Sequence, residues 1–223
     1  KCLAIAVCML VLYSFSRCSH PECGRLVFFD TDTCYAHAAD RSGLDERVHR
    51  HLDSSETFKN LNLAGFEFSG TVLENKRFFA CSFSESAFRK CNLTHVVFTM
   101  CFLDFTRIEE CIFTNAYMLS TVLSASSIRD TDFTNSDLLH SNFNGLEAEN
   151  VDFSFSDLYF SYFIRSRLTG VKYVDCNLKK TNFTGAELEN VSFKYSNYEE
   201  ADFSGESEKP LEIKGTTGGI DIS

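Results

Sequence analysis

Ten cysteines are the residues of this 223-residue chain best suited to chemistry. Cys81, Cys91, Cys101 and Cys111 recur at ten-residue intervals, a regular sulfur spacing that first suggests metal ligation. Cys18, Cys23 and Cys34 precede them, Cys176 follows, and Cys2 and Cys8 lie at the start. The histidines His20, His37, His49, His51, His95 and His140 are scattered. His49 and His51 read as solvated residues of a short helix whose apolar stripe is Leu44, Val48 and Leu52. No Gly-rich phosphate loop and no nucleophile elbow occurs in the sequence. The carboxylates are many but would sit on the outside of a rod without a cleft, so the chain reads as non-enzymatic, with no catalytic residue and no cofactor assigned. A net charge of -10 argues against direct nucleic-acid binding.

The element that must position these residues is a repeat. From Phe58 to Phe203 every fifth residue forms a series of 30 positions, of which 29 are large and apolar and one is Ala148. This is neither a helical period of 3.6 nor a strand period of 2, and a fixed period held so long means a solenoid. Two residues before each centre the chain mostly carries a small residue, as at Cys81, Ser86, Cys91, Thr106, Ser126, Thr131 and Ser141. Asn or Asp often follows the small residue, and Ser or Thr often follows the centre. Cys91-Asn92-Leu93-Thr94, Thr131-Asp132-Phe133-Thr134, Thr181-Asn182-Phe183-Thr184 and Ala201-Asp202-Phe203-Ser204 show the pattern best.

With these motifs the chain resembles the pentapeptide-repeat family, over about two thirds of its length. The resemblance implies an all-β solenoid: a right-handed quadrilateral parallel β-helix with one pentad per side and four pentads per coil. The centre and the small residue two before it then point inward. Thirty pentads give 7.5 coils, and at the usual strand spacing the tube is roughly 36 Å long. Centres twenty residues apart, such as Phe143, Phe163, Phe183 and Phe203, are expected to stack. The expected organisation is a signal peptide at 1–16, an N-terminal cap with a short helix at 17–57, the repeat at 58–205, and a C-terminal cap or tail at 206–223.

Winding the chain onto four sides removes the metal site suggested by the regular cysteines. Cys81 and Cys101 fall on one side and Cys91 and Cys111 on the opposite one, so the four do not converge as a tetrahedral site requires. They read as small apolar fillers, and no metal ligand is assigned. Two departures stand out. At Leu146-Glu147-Ala148 the large and small residues change places. Lys76 occupies a small inward position, where a local bulge or an outward flip is expected.

The outward positions sort by side. One side carries Arg89, Glu109, Arg129 and Glu149 in vertical succession, an alternating, solvated charge ladder. Another carries Phe79, Leu119, Leu139 and Tyr159, flanked by Val97, Met100, Tyr117 and Phe160. The next side continues it with Phe102, Phe105, Val122, Tyr162 and Ile164. Apolar residues contiguous at positions that should face water mark an interface. Either the segment at 24–57 folds back over this stripe, or it receives a protein partner or a second copy in a homodimer.

The N-terminus has the pattern of an export signal: Lys1, an apolar run from Cys2 to Phe15, and small residues Ser14 and Ser16 before Arg17. The expected location is therefore periplasmic, cell-surface or secreted. Cys18 is a candidate for lipidation and hence membrane association, although Arg17 makes a poor lipobox. Cys23 and Cys34 are then the natural candidate disulfide pair.

The resemblance implies one further function, since family members protect bacterial DNA gyrase and are thought to mimic DNA. Duplex DNA carries one charge per ~1.7 Å, so a copy of this length needs about 21 negative charges. Residues 58–205 hold 19 acidic and 13 basic side chains. The leading expectation is thus an exported bacterial binding or scaffold module, with gyrase inhibition or protection as the alternative.

Overall fold

A computed structural model describes residues 15–205 and the backbone of residues 212–214. The expected signal segment lies outside the described residues except for Phe15 and Ser16. The repeat winds into a parallel β-solenoid of about seven turns. Residues twenty apart lie over one another on each side: Phe58 over Phe78 over Phe98, and Phe88 over Ile108 over Ile128. Two opposite sides carry three-residue strands, forming a four-stranded and an eight-stranded parallel sheet. The other two sides are held by single bridges, such as Phe102 with Val122 and Asp132 with Asp152. Four sides are named below by their first centres: side one from Phe58, side two from Leu63, side three from Phe68 and side four from Leu73. The strand Glu212–Lys214 adds in parallel to Glu187–Glu189, so the tail extends side three.

Each feature of the repeat has a physical role in this winding. Centres are buried from Phe58 to Phe193, Tyr198 is partly buried, and the aromatic rings stack along the axis. Phe143, Phe163, Phe183 and Phe203 stack as expected, with centroids 4.7, 5.1 and 4.9 Å apart. The small inward residue also supplies a hydrogen bond. Ser126 and Ser136 each donate 2.9 Å to the carbonyl 23 residues earlier, of Leu103 and Phe113. Ser and Thr therefore recur there because a buried main-chain carbonyl needs a donor as well as room. The Asn or Asp before a centre accepts from the N–H two residues on, as Asp132 does from Thr134 at 2.8 Å, which ties down the turn.

Each corner places one residue in the left-handed region, from Asn60 (φ 52°) to Tyr195 (φ 64°). Few of these residues are glycine, although a side chain there costs roughly 1–2 kcal/mol.

The departures resolve simply. Leu146 and Ala148 are both buried, so the exchange keeps the volume filled without loss of register. Of the bulge or outward flip expected at Lys76, no bulge forms: Val97 N–H donates to its carbonyl at 2.9 Å and the ladder continues. Its ammonium instead donates to the carbonyls of Leu52 (2.7 Å) and Ser55 (2.8 Å), at the end of helix α1, Arg41–Ser54. A cation is favourable at a helix C-terminus, where carbonyls lack partners.

Helix α1 is capped by Asp40, whose carboxylate accepts from Gly43 N–H at 3.0 Å, and it buries Leu44, Val48 and Leu52. These residues, with Phe28 and Phe66, join the core at the open first coil. The N-terminal segment thus covers the end of the tube, where an unpaired coil would expose its ladder.

Candidate interaction surface and cysteine–histidine cluster

The residues expected to form an apolar surface lie together, at and beside the corner between sides one and two. Register places Val97 beneath Tyr117 and, one column over, Thr99 between Phe79 and Leu119. The ladder continues that second column to Leu139 and Tyr159. On side two Phe102 pairs with Val122, and Asn142 links Val122 to Tyr162. Met100 and Phe160 occupy the corner itself. All of these side chains are partly or well exposed. Thr99 interrupts the stripe. Among the described residues, the N-terminal segment seats its buried side chains on the first coil, and the stripe residues from Val97 to Tyr162 keep part of their surface exposed.

The corner bears strain at residues that are both bulky and apolar. Met100 (φ 51°) and Phe160 (φ 58°) adopt the left-handed region there, as does Phe105 (φ 57°) at the next corner, between sides two and three. Phe105 is 61% exposed and Phe160 38%. Gly65 and Gly145 show that the winding accepts glycine at such corners. The left-handed angle is common to every corner of the winding, so what sets these residues apart is that large apolar side chains are turned to water. Phe160 also gathers an aromatic group, with His140 at 5.3 Å, Tyr162 at 5.7 Å and Tyr159 at 6.2 Å.

Side three is the contrast. Arg89, Glu109, Arg129 and Glu149 form the expected column. Arg89 meets Glu109 at 3.2 Å, Arg129 meets Glu149 at 3.6 Å, and Arg167 reaches both Glu147 (2.8 Å) and Glu187 (3.3 Å). Its acids are largely neutralised within their own column.

The cysteines divide as the repeat dictates. Cys81, Cys91, Cys101, Cys111 and Cys176 are buried inside the tube. Cys101 Sγ donates to Phe78 O at 3.4 Å, which is the role serine plays elsewhere. A hydrogen bond with the neighbouring Cys91 thiol and burial push Cys111 well above the usual thiol range, in keeping with inert packing.

The cap cysteines behave differently. Residues 16–27 form a hairpin, with Arg17 bridged antiparallel to Leu26 and Cys23 N–H closing a turn on His20 O at 3.2 Å. This turn brings Cys18 and Cys23 together. Cys34 caps the 3-10 turn Tyr35–His37, in which positions three apart eclipse, so Cys34 and His37 face the same way. Cys18 Sγ and Cys34 Sγ each lie 3.5 Å from His37 Nδ1, and Cys23 Sγ lies 3.9 Å from Cys34 Sγ.

Burial opposes ionisation of Cys18. Hydrogen bonds from the Cys34 and His20 backbone N–H groups and from the His37 and Cys34 side chains outweigh it, and its pKa falls to about 6. His20 stacks on His37 with centroids 3.9 Å apart.

Two expectations meet this geometry. Cys23 and Cys34, the expected disulfide pair, are neighbours here as free thiols, with their sulfurs 3.9 Å apart. Cys18, the lipidation candidate, is buried with its sulfur turned into the cluster. Sequence reasoning left His37 out, although Cys34-x-x-His37 is a spacing that could have marked it.

A four-sided parallel solenoid with five-residue sides defines a class, the quadrilateral β-helix. Two models of one family match this chain: "Pentapeptide repeats (8 copies)" over residues 77–115 and "Pentapeptide repeat region" over residues 126–203. The chain belongs to the pentapeptide-repeat family.

Solved structures similar to it include Rfr23 from the cyanobacterium Cyanothece 51142, at 22% identity over 44% of this chain and 63% of that one, TM-score 0.40. HetL, involved in heterocyst differentiation regulation in Nostoc, matches at 14% identity over 78% and 96%, TM-score 0.36. QnrB1, a plasmid-mediated fluoroquinolone resistance protein, matches at 16% identity over 72% and 81%, TM-score 0.45. No curated protein matches the chain.

Proposed function

We propose that the protein is an exported bacterial scaffold without catalytic activity, which engages a protein partner or a second copy of itself through the apolar corner between sides one and two. The observation that carries this reading is the set of bulky apolar residues at outward positions, Met100 and Phe160 at this corner with Leu119, Leu139 and Tyr159 beside it. A rigid tube is suited to such a role because its stacked coils hold distant side chains in fixed register. Export rests on the N-terminal pattern of Lys1, the apolar run to Phe15 and Ser14 and Ser16.

The gyrase alternative needs a dense column of uncompensated acid, whereas the acids of side three are paired with arginines in their own column. A supercoiling assay with gyrase separates the two readings, and this account expects no inhibition and no protection.

The test of the surface is a quadruple variant, Phe79, Leu119, Leu139 and Tyr159 each changed to Ser. All four side chains lie outside the core, so the variant should keep its fold by circular dichroism. Sedimentation and partner capture should both show loss of association relative to the parent chain. A parent that is monomeric and captures nothing, or a variant that associates as the parent does, refutes the reading.

A further inference from the structure

We propose that Cys18, Cys23, Cys34 and His37 form a closed, tetrahedral Zn2+ site that holds the N-terminal cap on the first coil.

The geometry comes first. With Zn–S near 2.3 Å and Zn–N near 2.0–2.1 Å, a tetrahedral site sets S···S edges of about 3.8 Å and S···N edges of about 3.5 Å. The cap shows 3.9 Å between the sulfurs of Cys23 and Cys34, and 3.5 Å from His37 Nδ1 to each of the Cys18 and Cys34 sulfurs. All four ligand atoms lie within 4.8 Å of one another. A disulfide between Cys23 and Cys34 would account for two of the four groups and leave Cys18 and His37 without a reason to converge. Three sulfurs and one imidazole nitrogen are a donor set for a structural zinc site, since soft thiolates select zinc over hard, oxygen-seeking cations.

The surroundings suit the same ion. His20 stacks on the ring of His37 and steadies its orientation. Arg17 donates to Gly24 O at 3.0 Å, across the turn that carries Cys23. Three thiolates with Zn2+ leave one net negative charge.

The cap also needs such a link. Between residues 15 and 43 the buried side chains are Cys18, Phe28 and Cys34. One buried phenylalanine cannot order a segment of this length, and small units poor in core are commonly held by a metal or by disulfides. The metal would join the hairpin to the 3-10 turn that leads into helix α1, and so fix the element whose Leu44, Val48 and Leu52 close the tube. Binding and folding of the cap would then be one event.

Purified full-length chain, prepared with reductant, tests this by elemental analysis and by Co2+ titration of the metal-free protein. The expected result is one Zn2+ per chain and, with Co2+, the visible bands of a tetrahedral thiolate site. Cys34→Ser and His37→Ala should each lose the metal after exposure to a chelator. Cys91→Ser, inside the tube, should retain it. Should Cys34→Ser fail to fold, His37→Cys keeps the test open, since it preserves four ligands and should still bind with an altered Co2+ spectrum. A reduced parent chain that takes up no Zn2+ overturns the proposal. So does a native mass showing a Cys23–Cys34 disulfide or a lipid on Cys18, because each removes a ligand.

Discussion

Each full coil between Phe58 and Phe193 buries an inward centre on each of its four sides, whereas the stretch from Phe15 to Gly43 buries only Cys18, Phe28 and Cys34. In the tube one pattern recurs at every coil. Rings stack, small residues donate to carbonyls a coil away, and the ladder pairs each side with the next coil. In the cap the polar interactions are individual: Tyr35 Oη to Asp45 at 2.9 Å, Arg47 to Asp30 at 2.8 Å, and Lys76 to the end of helix α1. The difference teaches that the repeat stabilises itself by periodicity, while its end is closed by contacts made once.

That comparison can be broken at several strengths. The largest effect is expected from Phe163→Ala, since this ring lies between Phe143 and Phe183 at 4.7 and 5.1 Å. Loss of about 3–5 kcal/mol in urea denaturation is expected, as for other large cavities in packed cores. Lys76→Met should cost less, about 1–2 kcal/mol, because it strips two carbonyls of a charged donor. Hydrogen exchange should place that loss in helix α1 and leave the ladder around Phe163 protected.

Tyr173→Phe has the opposite sign. The Tyr173 hydroxyl is buried without a hydrogen-bond partner, and burial holds its pKa well above the usual phenol range. Removing the hydroxyl should raise stability by about 1 kcal/mol, read from the same denaturation curves. Arg129→Ala on the exposed ladder should change stability least, by about 0.5 kcal/mol or less, and the difference should vanish in high salt.

The sequence made the tube legible because its information is periodic. Phe143, Phe163, Phe183 and Phe203 announce a stack by their spacing, and Arg89, Glu109, Arg129 and Glu149 announce a ladder in the same way. The apolar corner followed from the same winding, although the strain at Met100 and Phe160 needed backbone angles to be seen. The use of Lys76 was hidden because its partners, Leu52 O and Ser55 O, belong to an element outside the repeat. The Cys18, Cys23, Cys34 and His37 cluster was hidden for a related reason. A hairpin and a 3-10 turn bring these residues together, and neither has a period to extrapolate. Cysteine spacing alone equally suited a lipid anchor and a disulfide.

The central claim is that the tube stands on its own pattern while the cap depends on a point attachment at the cysteine–histidine cluster. Hydrogen exchange of the Zn2+-loaded full-length chain, with and without a chelator, tests this most directly. The account predicts that chelation strips protection from residues 18–37 while the ladder from Phe98 to Phe183 keeps its own. Unchanged protection at residues 18–37, or loss of cap and tube together, would contradict it.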